Sequence, residues 1–344
     1  MRTGKNPSKK GVPAYSPKQL GIALLVYIPF MEGYFRHSLD ILKYQIASLH
    51  QNTKQEIDLL VFDNGSCSEV VDELKKLYDD RYVDWLVLSQ HNLGKVGAWN
   101  WIFGSMPNDF ICYADSDVLF REGWLKSSFE IISAFPNVGM VSAQPTFHDV
   151  LGGKGKAHLS LGRDQNYINS QYRPSIEIVD EYCRGIGADD ELSARFHNMD
   201  LPCITDLRSN TSAVVGATHM QFIIPKEVAR QMPPLPVSKA LYGDETTSLD
   251  RKIDDLGYLH LSTQKNYVMH MGNTINEKLL SEVQEMEGLL NFVGNPEEII
   301  LSQRSVLFRL VLRLGRIPSI NNFFLRVYDF LYRVLYVEKQ KDFK

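Results

Sequence analysis

No C-x-x-C pair occurs in this chain of 344 residues, and its four cysteines, Cys67, Cys112, Cys183 and Cys203, stand far apart. That excludes a zinc ribbon or a disulfide framework and points to reduced thiols in a cytoplasmic setting. No stretch reaches the roughly 18 apolar residues that a membrane-spanning helix needs, and the N-terminus lacks the apolar core of a signal peptide. A basic surplus is missing too. The formal net charge of −4 argues against a nucleic-acid binder. The glycine-bearing stretch Asn92 to Asn100 fits neither the P-loop pattern nor G-x-G-x-x-G, which sets aside ATPase and dinucleotide readings.

What is present is ordinary in bulk and uneven in detail. A hydrophobic content of 44% with 23% charged residues suits a globular chain with a large core. Residues 1–19 carry Arg2, Lys5, Lys9, Lys10 and Lys18 without an acid and read as a disordered basic leader. Both ends are basic, since residues 303–344 set nine Lys/Arg against Asp329, Glu338 and Asp342. The middle is distinctly acidic.

Between the ends, apolar strands alternate with amphipathic helices. Ile22 to Ile28 is a continuous apolar run suited to a strand covered on both faces. Leu39, Leu42, Ile46 and Leu49 recur at helical spacing, and Asp58 to Asp63 is a second buried strand. Ser66 and Glu69 fit a capping box before Val70, Val71, Leu74 and Leu77. Trp85 to Ser89 reads as a strand, Gly94 to Phe103 as a helix, Phe110 to Ala114 as a strand, and Trp124 to Ile132 as a helix. Residues 148–212 show weak periodicity and read as long loops with short helices. Val214 to Ile224 reads as one strand, Asp244 to Leu256 as a helix, Tyr267 to Met271 as a strand, and the remainder from Asn276 as helical. This order predicts an open, mostly parallel α/β sheet flanked by helices, with a C-terminal helical extension. Ligands gather at the carboxyl ends of such strands, where Asp63 and Asp115 both fall.

The turn Asp115-Ser116-Asp117 follows an apolar strand directly and can bring two carboxylates towards one ion. Hard oxygen ligands suit Mg²⁺ or Mn²⁺. An EF-hand is excluded, because Leu119 and Phe120 stand where that loop needs a ligand and a glycine. By itself the tripeptide is more often a solvated acidic turn than a metal site. Its context is more specific. Asp63-Asn64-Gly65-Ser66, then Asn92-Leu-Gly94-Lys95-Val-Gly97-Ala98-Trp-Asn100, then the acidic turn, occur in that order.

That ordered set resembles the family 2 glycosyltransferases of the GT-A fold, closely over residues 20–145 and more loosely over 213–273. The resemblance implies a catalytic domain over 20–275, with a nucleotide-sugar half (20–145) and an acceptor half (146–275), and an extension over 276–344. It implies a UDP-sugar or GDP-sugar donor, Mn²⁺ or Mg²⁺, and inverting transfer to a hydroxyl of a glycan, lipid-linked or protein acceptor in surface polysaccharide or glycoconjugate synthesis. In the implied site Asp63 accepts a hydrogen bond from the base near Pro29. Asn92, Gly94 and Lys95 line the nucleotide, and Asp115 and Ser116 face the ribose. Asp115, Asp117 and His270 hold the metal. Gly243-Asp244-Glu245 resembles the family's acidic pair, which makes Asp244 the favoured general base with Glu245 beside it. His219 reads as structural. A nucleotidyltransferase and a silent binding module are the competing readings; Pro29 to Gly33 is not the basic glycine-rich loop that the first would want. In 303–344, apolar stripes at Val306, Leu307, Leu310, Val311 and Leu314 and from Phe323 to Val337 alternate with arginines. They suit packing on the domain, a homodimer contact, or a peripheral position at the inner face of a membrane.

Overall fold

The computed structural model describes residues 14–147, 164–237 and 245–284, with Gly11 and Leu161. The chain divides into a unit of residues 1–292 and a second of 293–344, and every described residue belongs to the first. The basic leader up to Lys10, the base candidate Asp244 and the segment 303–344 lie outside the described residues.

β1 (Leu20–Val26) shows why an unbroken apolar run makes an inner strand. Leu20, Ile22, Leu24 and Val26 face one side, with residues of α1 (Ser38–Asn52) and α2 (Ser68–Asp79), while Ala23 and Leu25 face α3 (Gly94–Ser105). Side chains alternate across a strand, so a strand covered on both faces has no polar register to show. β1 lies parallel between β2 (Ile57–Asp63) and β4 (Phe110–Asp115), with β3 (Trp85–Leu88) outside β2. Right-handed crossovers through these helices suit parallel neighbours. Asp63 and Asp115 consequently finish at the same edge, paired with Val26 and Leu25.

Beyond Asp115 come β5 (Val118–Phe120), α4 (Trp124–Ala134) and β6 (Val138–Ser142). The stretch read from sequence as long loops with short helices contains two short helices, α5 (Ile176–Ile186) and α6 (Asp190–His197), and two strands the reading missed, β7 (Tyr167–Tyr172) and β8 (Leu201–Asp206). α6 explains the acidic run at 189–191: Asp189 caps the helix by accepting the amide of Leu192 at 2.8 Å. The run Val214 to Ile224 is two strands, β9 (Thr211–Val215) and β10 (Gln221–Pro225), broken at Gly216 with φ +111°. α7 (Lys226–Ala229), α8 (Glu245–Asp255), β11 (Leu259–Ser262), β12 (Val268–His270) and α9 (Glu277–Gln284) complete the described chain.

Ten strands form one sheet in the order β3-β2-β1-β4-β10-β6-β11-β9-β8-β7, and seven of them run in one direction. This is the mostly parallel α/β architecture expected. β5 and β12 make a separate antiparallel pair. The capping box does not form. α2 starts at Ser68 after Cys67, and the Ser66 hydroxyl instead accepts the amide of Ile28 at 2.9 Å.

Candidate active site

Three chain segments meet at the carboxyl edge of β1, β2 and β4. The turn after β2 is laid across the end of β1: the amides of Asn64 and Cys67 donate to the carbonyls of Val26 and Ile28, the latter just before Pro29. Asp63 is buried, and its carboxylate accepts the amides of Gly65 at 3.3 Å and Ser66 at 3.2 Å. Burial raises its pKa, against the pull of those hydrogen bonds. Gly65 has φ +93°, and a Cβ there would come within 3.0 Å of the His91 backbone. The Asn64 carboxamide accepts the amide of Leu93 at 2.8 Å and donates to Asn92 at 3.0 Å. Asn92 in turn accepts the amide of Gly94 at 2.8 Å, where α3 begins. The two asparagines thus fix the 92–94 loop beside Asp63.

α3 carries Lys95 over this edge. Its ammonium lies 5.5 Å from the ring centres of Trp99 and Tyr113 and 2.8 Å from Asp115 Oδ2. Tyr113 donates its hydroxyl to Asp115 Oδ1 at 2.6 Å, since residues two apart on a strand share a face. The backbone of Asp115 is held as well, its amide by the Met220 carbonyl and its carbonyl by the Gln45 side chain. Ser116 sits half-buried between the two acids.

Asp117 has a different partner. β12 pairs with β5 so that His270 stands opposite Val118, and the amide of Met271 donates to the Asp117 carbonyl at 2.7 Å. His270 Nε2 lies 3.0 Å from Asp117 Oδ2, and Nδ1 is bonded to the carbonyl of Gly185. Burial disfavours the imidazolium, but Asp117, Asp115 and that carbonyl outweigh it and lift the pKa to about 9. The 3.0 Å contact of Asp117 Oδ2 with His270 Nε2 is a charge-assisted hydrogen bond in this structure, and its length is also about that between adjacent ligand atoms of an octahedral ion with bonds of roughly 2.1 Å. A carboxylate with an imidazole is a donor set that Mn²⁺ accepts. Asp115 is turned towards Lys95. Among the described residues no three His, Cys, Asp or Glu side chains are gathered tightly enough to hold an ion together.

Residues 30–187 match the family model Glycosyl transferase family 2. That stretch, a little under half of the chain, carries the likeness to glycosyl transferase family 2. A curated relative, the succinoglycan biosynthesis protein ExoW of Rhizobium meliloti (strain 1021), is 29% identical over 114 residues, 33% of this chain and 34% of its own. The aligned stretch thus spans about a third of that relative. Solved structures that resemble it include S. aureus TarS 1–349 in complex with UDP-GlcNAc, at 15% identity over 38% of this chain and 35% of that one, with a TM-score of 0.30. Mannosyltransferase PcManGT from Pyrobaculum calidifontis, in complex with GDP-Man and Mn²⁺, aligns over 90% of this chain and 83% of its own at 10% identity and a TM-score of 0.41.

The helix α8 begins at Glu245. Asp250 on its buried face takes His219 Nε2 at 2.7 Å, and the His219 ring packs 5.9 Å from Trp99. His219 therefore ties α8 to the turn before β10, next to the Met220 carbonyl that holds Asp115. Four residues around the site escaped the sequence reading as site residues: Asn64, Tyr113, Gln45 and Gly185. Asn64 lay inside a recognised motif, and Tyr113 is two residues from Asp115 on one strand. Gln45 and Gly185 reach the site only by tertiary approach and carry no local signal. Among the described residues no helix is long and apolar enough to cross a membrane.

Proposed function

We propose that this chain is a metal-assisted, inverting glycosyltransferase that moves a sugar from a UDP- or GDP-sugar to an acceptor hydroxyl. The observation that carries this reading is the pairing of Asp117 with His270 at 3.0 Å, beside the Lys95–Asp115 pair and across the edge from Asp63. Asp63 accepts the base N–H, and the Asn64–Asn92 bracket keeps Gly94 and Lys95 against the nucleotide. Asp117 and His270 hold the cation, and Asp115, with Ser116, faces the ribose or joins the cation. A bound divalent cation supplies Lewis-acid stabilisation of charge on the leaving diphosphate. Lys95 adds a fixed positive charge on the same side. Asp244, with Glu245 next to it, takes the acceptor proton from the opposite face, which gives inversion at the anomeric carbon. The likeness to a succinoglycan biosynthesis protein supports a polysaccharide or glycoconjugate acceptor.

Thermal-shift screening of nucleotide sugars with Mn²⁺ and with EDTA tests the proposal. The expected result is stabilisation by one nucleotide class that is stronger with Mn²⁺, and loss of the Mn²⁺ increment in Asp117→Ala. Absence of any metal-dependent nucleotide stabilisation in the wild-type chain would overturn it.

A further inference from the structure

Gly185 stands in the last turn of α5, where alanine would be the better helix former by roughly 1 kcal/mol. The reason for glycine is on the other side of the contact. A Cβ at this position would lie 2.7 Å from His270 Cβ, 3.2 Å from the His270 carbonyl oxygen and 3.4 Å from Cγ. His270 Cβ is fixed to a strand paired with β5, so no rotamer change can make room. Because Gly185 has no side chain, its carbonyl can approach and bond His270 Nδ1. A carbonyl only accepts, so Nδ1 is the nitrogen that carries hydrogen. In the neutral ring Nε2 is left with its lone pair, and Nε2 is the atom beside Asp117.

α5 is itself anchored to the strands that bear the site. Arg121, directly after β5, forks onto both oxygens of Glu181 at 2.7 and 2.9 Å. Asn266, shortly before β12, donates to the same carboxylate at 3.0 Å. The support of the imidazole and the support of the acidic turn are therefore one connected cluster.

We propose that Gly185 is a positioning residue for the metal site, holding His270 in the tautomer and orientation in which Nε2 can ligate beside Asp117. The inference rests on the reading of Asp117 and His270 as ligands. It gives α5, within the half that resembles an acceptor region in sequence, a part in cation binding.

The test is Mn²⁺ titration of the full-length chain, with free Mn²⁺ read by its electron paramagnetic resonance signal and no nucleotide present. Gly185→Ala should weaken Mn²⁺ binding about 10- to 100-fold, the range seen when a ligand's supporting hydrogen bond is lost. Nucleotide binding in EDTA should be retained. Gly104→Ala on α3, where a Cβ meets nothing within 4 Å, should leave Mn²⁺ affinity unchanged. In a His270→Ala background, adding Gly185→Ala should change the residual affinity by less than about twofold, because no ring remains to be seated. Wild-type affinity in Gly185→Ala, or an equal loss with and without His270, overturns the proposal. If Gly185→Ala does not fold, Glu181→Gln decides: it loosens the α5 anchor without inserting a methyl, and unchanged Mn²⁺ affinity there also overturns it. A wild-type chain that binds no Mn²⁺ overturns the metal site itself, and this proposal with it.

Discussion

Asp63→Asn separates the cost of a buried charge from its use. Asp63 is 1% exposed, and its carboxylate is held by two long backbone bonds, from Gly65 and Ser66, and by the Ser66 side chain. Burial raises its pKa above the unfolded value, so the fold favours the protonated form. The stabilisation linked to that shift is complete below the unfolded pKa of 3.8 and is lost as pH rises through the raised value. At neutral pH the carboxylate is therefore a burden on the fold. An asparagine oxygen can still accept the Ser66 amide, so the variant should melt no lower than wild type at pH 7, and the advantage should disappear near pH 3.8. Binding should go the other way. Loss of a hydrogen bond to a charged acceptor costs about 1.5–3 kcal/mol, or about 10- to 150-fold in affinity. Calorimetry with UDP and GDP in EDTA reads that contact without the cation. Wild-type affinity should also begin to fall on acidification at a higher pH than an ordinary aspartate would give, while the variant stays flat. Unchanged nucleotide affinity in Asp63→Asn refutes the base contact. A lower melting temperature at pH 7 refutes the argument from burial.

Three further outcomes follow from named contacts. Asp244→Ala should spare donor binding and abolish transfer in a radiolabelled-sugar assay; if Glu245→Ala does so instead, the two acids exchange roles. Arg121→Met removes the guanidinium shared by Glu181 and Glu282, leaving Glu181 at 8% side-chain exposure without its bidentate partner. The expected cost is about 3 kcal/mol in urea unfolding, and a change below about 1 kcal/mol would show the cluster to be solvated. Deletion of 303–344 should reduce pelleting with anionic liposomes if that segment is a membrane anchor, and unaltered pelleting would refute the anchor.

The fold over residues 20–145 was legible because its inner strands are covered on both faces. Runs such as Ile22 to Ile28 and Asp58 to Asp63 stand out against amphipathic helices that show one stripe each. The same logic explains where the reading failed. Val214 to Ile224 is apolar on either side of Gly216, with no charge to mark the break, so two strands read as one. β7 has only Tyr167 buried, so its sequence lacks the alternation of a half-buried strand. Short helices are expected in this stretch but not placed, because in α5 the buried stripe of Val179, Tyr182 and Cys183 is blurred by exposed Ile176 and Ile186. Ser66 fitted a cap by spacing, but the end of β1 offered its hydroxyl a competing amide. Local pattern names what a residue can do, and the tertiary neighbour decides which option is used.

The acidic turn makes the same point about chemistry. By spacing alone, Asp115 and Asp117 are interchangeable members of one metal clamp. In the fold they differ in kind. Asp115 ends a strand of the main sheet and is saturated by Lys95 and the Tyr113 hydroxyl. Asp117 lies beyond the strand, where the β5–β12 pair brings His270 to it from far along the chain. For Asp115 to join a cation it would have to leave an ammonium and a phenol, whereas Asp117 and His270 would have to give up only the proton they share, at a separation adjacent ligand atoms can keep. That asymmetry predicts unequal losses. Asp117→Asn should weaken Mn²⁺ binding in the absence of nucleotide, while Asp115→Asn should act mainly once a nucleotide is bound and its diphosphate competes for Lys95. Equal losses of nucleotide-free Mn²⁺ affinity from the two substitutions would show that the turn behaves as the symmetric clamp its spacing suggests.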